Sequence, residues 1–167
     1  MDLSTFDIVA RWIHVIAVVT WVGHNYANAV QQPAFRPVAP DDPPEAARAV
    51  FMAALGREHA LFRYASLVAW ATGLFMLWYR GLLLDAYMMS GDAAAIGVGT
   101  WTGTIMVLNV WLLLWPHQRK VLGFTPATVE ERIRCARITF LTARTNTILS
   151  FPTIFFMAAG AHGPLFG

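Results

Sequence analysis

The sequence predicts an all-α integral membrane protein, a four-helix bundle with both termini on the periplasmic or exterior side. Three observations predict it. Hydrophobic residues make up 57% of the 167-residue chain and charged residues only 13%, about half the charged share of a soluble domain. The apolar residues fall into four long runs, each long enough to supply the about 20 helical residues that a bilayer core requires. Basic residues gather in the first connection (Arg36, Arg48, Arg57, Arg63) and the third (Arg119, Lys120, Arg132, Arg134, Arg137), leaving Arg11 and Arg80 for the other side. By the positive-inside rule the two basic connections are cytoplasmic.

The first span, 8–30, is preceded by Asp2 and Asp7 and followed by Gln31, Gln32 and Pro33. A secretory signal needs a basic leader and a small-residue cleavage site, so this run reads as a retained helix. The first connection carries Asp42-Pro43-Pro44-Glu45, with a cap residue, a first-turn proline and a capping-box glutamate, and predicts a connector helix over 43–58. Its apolar stripe is weak, so the simplest expectation is an ordered connector continuing into span two. Spans two and three cover 62–84 and 94–115, with Trp78, Trp101 and Trp115 near ends as interface anchors. Thr125-Pro126 again resembles a cap with a first-turn proline, so the fourth span, 138–161, is expected to begin as a cytoplasmic helix carrying Glu130 to Arg137. These four spans form a single domain.

Composition excludes several functions. A net charge of +2 with scattered basic residues makes no nucleic-acid surface. The single cysteine, Cys135, permits no intrachain disulfide, and no CxxC or CxxCH occurs, so no iron–sulfur or c-type haem attachment is encoded. His59 follows Glu58, but no further ligands at metal spacing accompany it, and no metal site is expected.

Ionisable and polar groups inside the spans are where function is sought, because each costs at least about 2.5 kcal/mol in hydrocarbon. Helical rise places His24, Asn109, Arg144 and Asn146 in one layer, roughly 5–9 Å to the cytoplasmic side of the span centres. No Asp or Glu lies in a span core to neutralise Arg144, which therefore seeks an anion, a carbonyl cluster or a wet cleft. These four residues make a candidate site for a planar anionic or carbonyl-bearing ligand. The alternative is that Arg144 snorkels to the interface and the asparagines tie helices together. No catalytic residue is identifiable.

A b-type haem is the other possibility, with His14 and His24 as candidate ligands. Their pairing is poor by helical rise. Only His162 approaches the level of His14, while His24 has His59 and His117, both at or beyond the cytoplasmic ends of their spans. His14 and Trp21, seven residues apart, share a helix face.

Three stretches resemble a known family: RWIHVIAVVTWVGHNYANAVQQP from Arg11, GTIMVLNVWLLLWPHQRKVLG from Gly103 and RTNTILSFPTIFFMAAGAHGP from Arg144, with FRYASLVAWATGLFMLWY from Phe62 as a looser match. They are similar to the membrane domain of the bacterial membrane-bound, cytochrome-c-linked urate oxidases, or urate hydroxylases. The motif residues in this chain are His14, Trp21, Gly23, Asn109, Pro116, Gln118, Arg119, Lys120, Arg144, Asn146, Pro152 and His162. The HxxxxxxWxG pattern of span one also resembles haem-dependent protoporphyrinogen oxidases and copper-resistance membrane proteins. The urate-oxidase resemblance implies a membrane oxidoreductase that oxidises urate and passes electrons to a c-type cytochrome. Since no CxxCH follows, the expectation is a shortened relative whose electron acceptor is a separate cytochrome or other protein partner. A non-catalytic accessory subunit of a larger respiratory or photosynthetic complex is the main alternative. A small anion carrier fits Arg144 but lacks the broken helices or repeats of transporters.

Overall fold

The computed structural model describes residues 3–35 and 45–160. Among them there is no strand, and the chain is all-α. Helix α1 covers Leu3–Gln31 and α2 Glu45–Tyr79. A short α3, Leu83–Met88, and a single 3-10 turn, Gly91–Ala93, lead into α4, Ala94–Leu108. A π-helical turn, Asn109–Leu114, joins α4 to α5, Trp115–Val121, and α6 runs over Val129–Gly160.

The connector helix expected over 43–58 is part of α2, whose 35 residues run without a break from the connection into the apolar segment. Nothing in between stops a helix. The lone Gly56 instead makes room for a neighbour, since a Cβ there would sit 2.6 Å from Cζ of Phe124. The cap read at Asp42-Pro43 lies outside the described residues, as does His162. Helix α2 ends five residues before the expected boundary because Gly81 adopts φ +71°. The Leu82 amide then reaches the Leu77 carbonyl at 2.9 Å, the six-to-one closure of a glycine-terminated helix. Gly123, at φ +81°, ends α5 in the same way, with the Phe124 amide on the Arg119 carbonyl at 2.9 Å.

The third apolar run is longer than expected and changes its winding in the middle. Pro116, just inside α5, has no N–H for the carbonyl four residues back, and the turn ahead of it relaxes into the wider π form. The start of α6 also differs from expectation. Thr128, and not Thr125, caps it, accepting the Glu131 amide at 3.2 Å through Oγ1. Lys120 on α5 donates to Glu131 of α6 and closes this corner. The Lys120 ammonium holds the Glu131 carboxyl below the usual carboxylate range.

Three segments are long and apolar enough to cross a membrane: Thr5–Gln31, Leu55–Tyr79 and Gly91–Val121. Their large side chains face outward, with Trp12, Val19, Leu61 and Trp78 each about two-thirds exposed, whereas Ser66, Asn146 and Ser150 are fully buried. An apolar exterior around hydrogen-bonded polar groups is the arrangement that a lipid solvent selects. Helix α6 is longer than any bilayer core requires but more polar, because Thr139, Thr142, Asn146 and Ser150 form its buried face.

Helices α1 and α2 pack side by side, as do α4 and α6. The α4–α6 seam is close. Gly99 faces Met157, whose Cγ lies 2.8 Å from the place of a glycine Cβ, and Gly160 lies against the Ile96 backbone. The small-residue spacing Gly99-x-x-x-Gly103 permits that approach. Between the two pairs sits an apolar core of Ala17, Trp21, Phe62, Ala69, Met106, Val107, Val110 and Leu114.

Candidate functional site

The four residues expected to share one ligand site do not converge. Asn146 and Arg144 are two positions apart on α6 and so point about 200° from one another around the helix. Asn146 faces α4, donating from Nδ2 to the Met106 carbonyl at 3.2 Å. Its Oδ1 accepts from Asn109 Nδ2 at 2.7 Å, and Asn109 also donates to the Thr142 carbonyl at 3.1 Å. Both asparagines are buried and spend their polar groups in tying α4 to α6. Arg144 turns instead to the end of α1. Its guanidinium donates to the Gln32 carbonyl and lies 4.8 Å from the centroid of the Phe140 ring. Gln32 follows the last residue of α1, where a cation complements the helix dipole.

His24 lines a cavity that none of the other three enters. That cavity, about 470 Å³, opens between the C-terminal half of α1, the start of the apolar segment of α2, α5 and α6. His24 Nδ1 is 3.2 Å from Oε1 of Glu58. Phe62 stacks on the His24 ring at 4.4 Å, and His59 meets it edge-on at 5.6 Å. His59 in turn holds Gln118, Nε2 to Nε2 at 3.2 Å. With the Gln118 amide donating, the His59 proton sits on Nδ1. That Nδ1 and the Nδ2 of Asn25 are buried and have no hydrogen-bond partner, although both residues line the cavity. Buried polar atoms normally find partners, so these two are exceptions in the wall of the cavity.

His59, expected at or beyond the cytoplasmic end of its span, reaches this layer near the start of the apolar segment Leu55–Tyr79 because α2 is continuous through it. Arg63, one turn further along α2 and counted only as a connection charge from sequence, is buried as well. Its guanidinium lies 3.5 Å from the centroid of the Trp115 ring, 5.0 Å from Tyr64 and 5.3 Å from Trp111. The i, i+4 pairs His59–Arg63 and Trp111–Trp115 were the available signal, since each pair falls on one helix face. Tyr26 was also missed. With the Ser150 hydroxyl proton on the Thr147 carbonyl at 2.7 Å, the Tyr26 hydroxyl donates to Ser150 Oγ at 3.0 Å and joins α1 to α6.

His14 lies at the other end of the bundle, in a larger cleft of about 730 Å³ between the N-terminal half of α1, α2, α4 and α6. Its Nδ1 donates to the Ala69 carbonyl at 2.8 Å, with Thr72 Oγ1 at 3.2 Å. Trp21 lines the same cleft, consistent with the shared helix face. His14 and His24 therefore face different cavities. The His24 ring is packed between Phe62 and His59, with its Nδ1 beside Glu58. Among the described residues no group of three or more His, Cys, Asp or Glu gathers as a metal site.

An all-α chain with three helices long and apolar enough to cross a membrane, and with polar side chains buried between them, has the make-up of a membrane protein. The family described as urate oxidase N-terminal matches residues 47–167, and the chain belongs to that family. The match begins within α2, so α1, with His14 and His24, precedes it. No curated protein and no solved structure matches the chain.

Proposed function

We infer that this chain is a membrane-embedded redox component of the urate-oxidase-like family, passing electrons to a separate partner protein. The single observation that carries the reading is the His24 cavity, a space lined by His24, Asn25, Asn28, Glu58, His59 and Gln118, with the buried donors of Asn25 and His59 left unpartnered in its wall. Such a space accepts a small planar molecule with several carbonyl and N–H groups, which urate is. The His24 imidazole, linked to Glu58, is placed to take up a proton released as such a substrate is oxidised. In this reading α1, α2, the α4–α5 rod and α6 are the four spans of one bundle. The basic connections and the His24 cavity face the cytoplasm of a bacterial inner membrane, and both termini face outward.

Urate itself is the probe. Added to the purified full chain in lipid nanodiscs, it raises the thermal unfolding midpoint, because a ligand present at 100 times its Kd stabilises by about 2.7 kcal/mol. Glu58→Gln and His24→Ala abolish that response while the unliganded midpoint stays within a few degrees. No shift at millimolar urate with folded protein refutes the reading. The engagement of Arg144 by Gln32 and Phe140 favours a second reading, a non-catalytic subunit of a larger complex. Stoichiometric co-purifying subunits together with urate silence would establish it.

A further inference from the structure

We propose that Arg63 and the indole of Trp111 form a binding site for the phosphate of an anionic membrane lipid, on the surface of the bundle where α2 meets the π turn and α5. The site is separate from the His24 cavity and does not rest on what binds there. Its first support is the state of the guanidinium. Arg63 is only 7% exposed, yet its Nε and Nη1 are buried and have no hydrogen-bond partner. Three rings surround it, with the centroids of Trp115, Tyr64 and Trp111 at 3.5, 5.0 and 5.3 Å from Cζ. Ring faces offset the charge, but the fork of N–H donors still calls for oxygen acceptors. The indole N–H of Trp111 is buried and unpartnered as well. These three vacant groups are all donors, so what completes the patch is an oxygen acceptor, best met by one that carries negative charge.

The second support is that the nearby acidic residues are committed elsewhere. Leu55–Tyr79 contains one acidic residue, Glu58, and Gly91–Val121 contains one, Asp92. Glu58 is turned to His24, with Oε1 at 3.2 Å from Nδ1. Asp92 stands at the far end of its segment, in the cleft of His14. On α6, Glu131 is held by Lys120. Arg63 has no carboxylate partner among the described residues. A buried cation left unpaired is costly, and an anion from outside the chain relieves that cost.

The third support is position, which selects lipid as the source. Tyr64, next to Arg63, and Leu112, next to Trp111, are 55% and 65% exposed, and both lie in segments of membrane length. The patch therefore borders the lipid. Centred in a bilayer, the 25 residues of Leu55–Tyr79 exceed a core of about 30 Å by about 4 Å at each end. Arg63 lies about 12 Å in from Leu55 along α2, hence about 8 Å inside the core edge. Side chains lean toward the N-terminus of their helix, which for Arg63 is toward that edge, and an arginine stem can carry its head there. The His59–Gln118 contact puts the end of α5 at the same end of the bundle. Trp115 and Tyr64 suit the headgroup level. Arg119, one turn beyond Trp115 and exposed, adds a second cation nearer the surface, where anionic lipids attract basic side chains.

Lipid retention by the purified full chain in mild detergent tests the proposal. Phosphatidylglycerol and chain-matched phosphatidylcholine are titrated separately, bound lipid is counted by native mass spectrometry, and the unfolding midpoint is followed by circular dichroism. The expected result is one phosphatidylglycerol per chain, bound at least tenfold more tightly than phosphatidylcholine, with a raised midpoint. Arg63→Gln removes that preference, whereas Arg119→Gln weakens it less than threefold. Inorganic phosphate at millimolar concentration, added with phosphatidylcholine, leaves the midpoint unchanged. Should Arg63→Gln not fold, Trp111→Phe decides the matter, since it keeps a ring face and removes one donor. Retention weakened threefold or more in that variant supports the site, and unchanged retention overturns it. No preference in the wild type, an unchanged preference in folded Arg63→Gln, or an equal loss in Arg119→Gln overturns the proposal. So does an equal rise from inorganic phosphate, which would make the site one for a free anion. A wild-type chain that retains a protein subunit and no phosphatidylglycerol would give the place to a partner's carboxylate and overturn it too. A urate response without lipid preference would leave the proposed function standing and remove this site alone.

Discussion

The Asn109–Asn146 contact makes a quantitative test of how the bundle is held. Three side-chain hydrogen bonds link this pair and its neighbours: Asn109 Nδ2 to Asn146 Oδ1, Asn109 Nδ2 to the Thr142 carbonyl, and Asn146 Nδ2 to the Met106 carbonyl. Each single alanine substitution removes two of the three, and the bond between the asparagines is common to both. Interhelical bonds in a membrane bundle average about 0.6 kcal/mol and reach about 1.7. Each single variant should therefore lose about 1–3 kcal/mol, including the void left at a fully buried position. Asn109→Ala is expected to be the costlier, since it strands the buried Oδ1 of Asn146, whereas Asn146→Ala leaves Asn109 its Thr142 bond. The double variant falls short of additivity by the one shared bond, so the coupling energy is about 0.6–1.7 kcal/mol. Reversible unfolding in mixed micelles, followed by circular dichroism, measures all four states of the cycle. A coupling indistinguishable from zero, or singles that cost nothing, would show that the asparagines do not hold α4 to α6.

Two further outcomes are expected. Glu131 has a lowered folded-state pKa, so the Lys120 pair contributes stability above the unfolded carboxylate pKa and loses it as pH falls through the folded value. Glu131→Gln should then be slightly less stable than wild type at pH 7 and equal to it at strongly acidic pH; a difference that persists in acid contradicts the pairing. For the proposed orientation, a cysteine at Pro164 in a Cys135→Ser background should react with an impermeant maleimide in intact cells, and reaction only after lysis reverses the topology.

Much of the fold was legible because it rests on apolar run length, which a single sequence displays directly. Three of the four expected spans coincide with segments of membrane length and hydropathy. The interior was harder to read, for two physical reasons. Depth along a helix follows from counting residues, but azimuth depends on local winding. The π turn at Asn109–Leu114 shifts the facing of everything beyond it, and Gln118 reaches His59 past that turn. The second reason is that polar groups in a bundle satisfy one another wherever geometry allows. Arg144, the sharpest signal in the sequence, is engaged by a backbone carbonyl at the end of α1. His59 and Arg63, hidden among the basic residues of a connection, became interior once α2 continued through Gly56. Sequence could place charges in a layer but could not say which of them already had partners.

The two cavities follow from one feature of the packing. Helix α1 meets α6 closely around the Ser150–Tyr26 bond and the Arg144–Gln32 contact. At the opposite end both helices line the His14 cleft from separate walls. The close α4–α6 pair, joined by asparagines and by glycines under Met157, supplies one fixed wall, while the α1–α2 pair carries both histidines. His14 and His24 lie ten residues apart on one helix, a rise of about 15 Å, with Ala17, Trp21 and Phe62 in the core between them. A change at Tyr26 or Ser150, which join α1 to α6, should therefore disturb both cavities at once. A change in the Asn109–Asn146 pair acts on the wall and reaches the histidines only through it. Comparing Tyr26→Phe with Asn146→Ala for the urate response and for the unliganded unfolding midpoint separates these roles. Equal effects of both variants on both readouts would show that the bundle responds as one body, and the division into a wall pair and a histidine-bearing pair would fail.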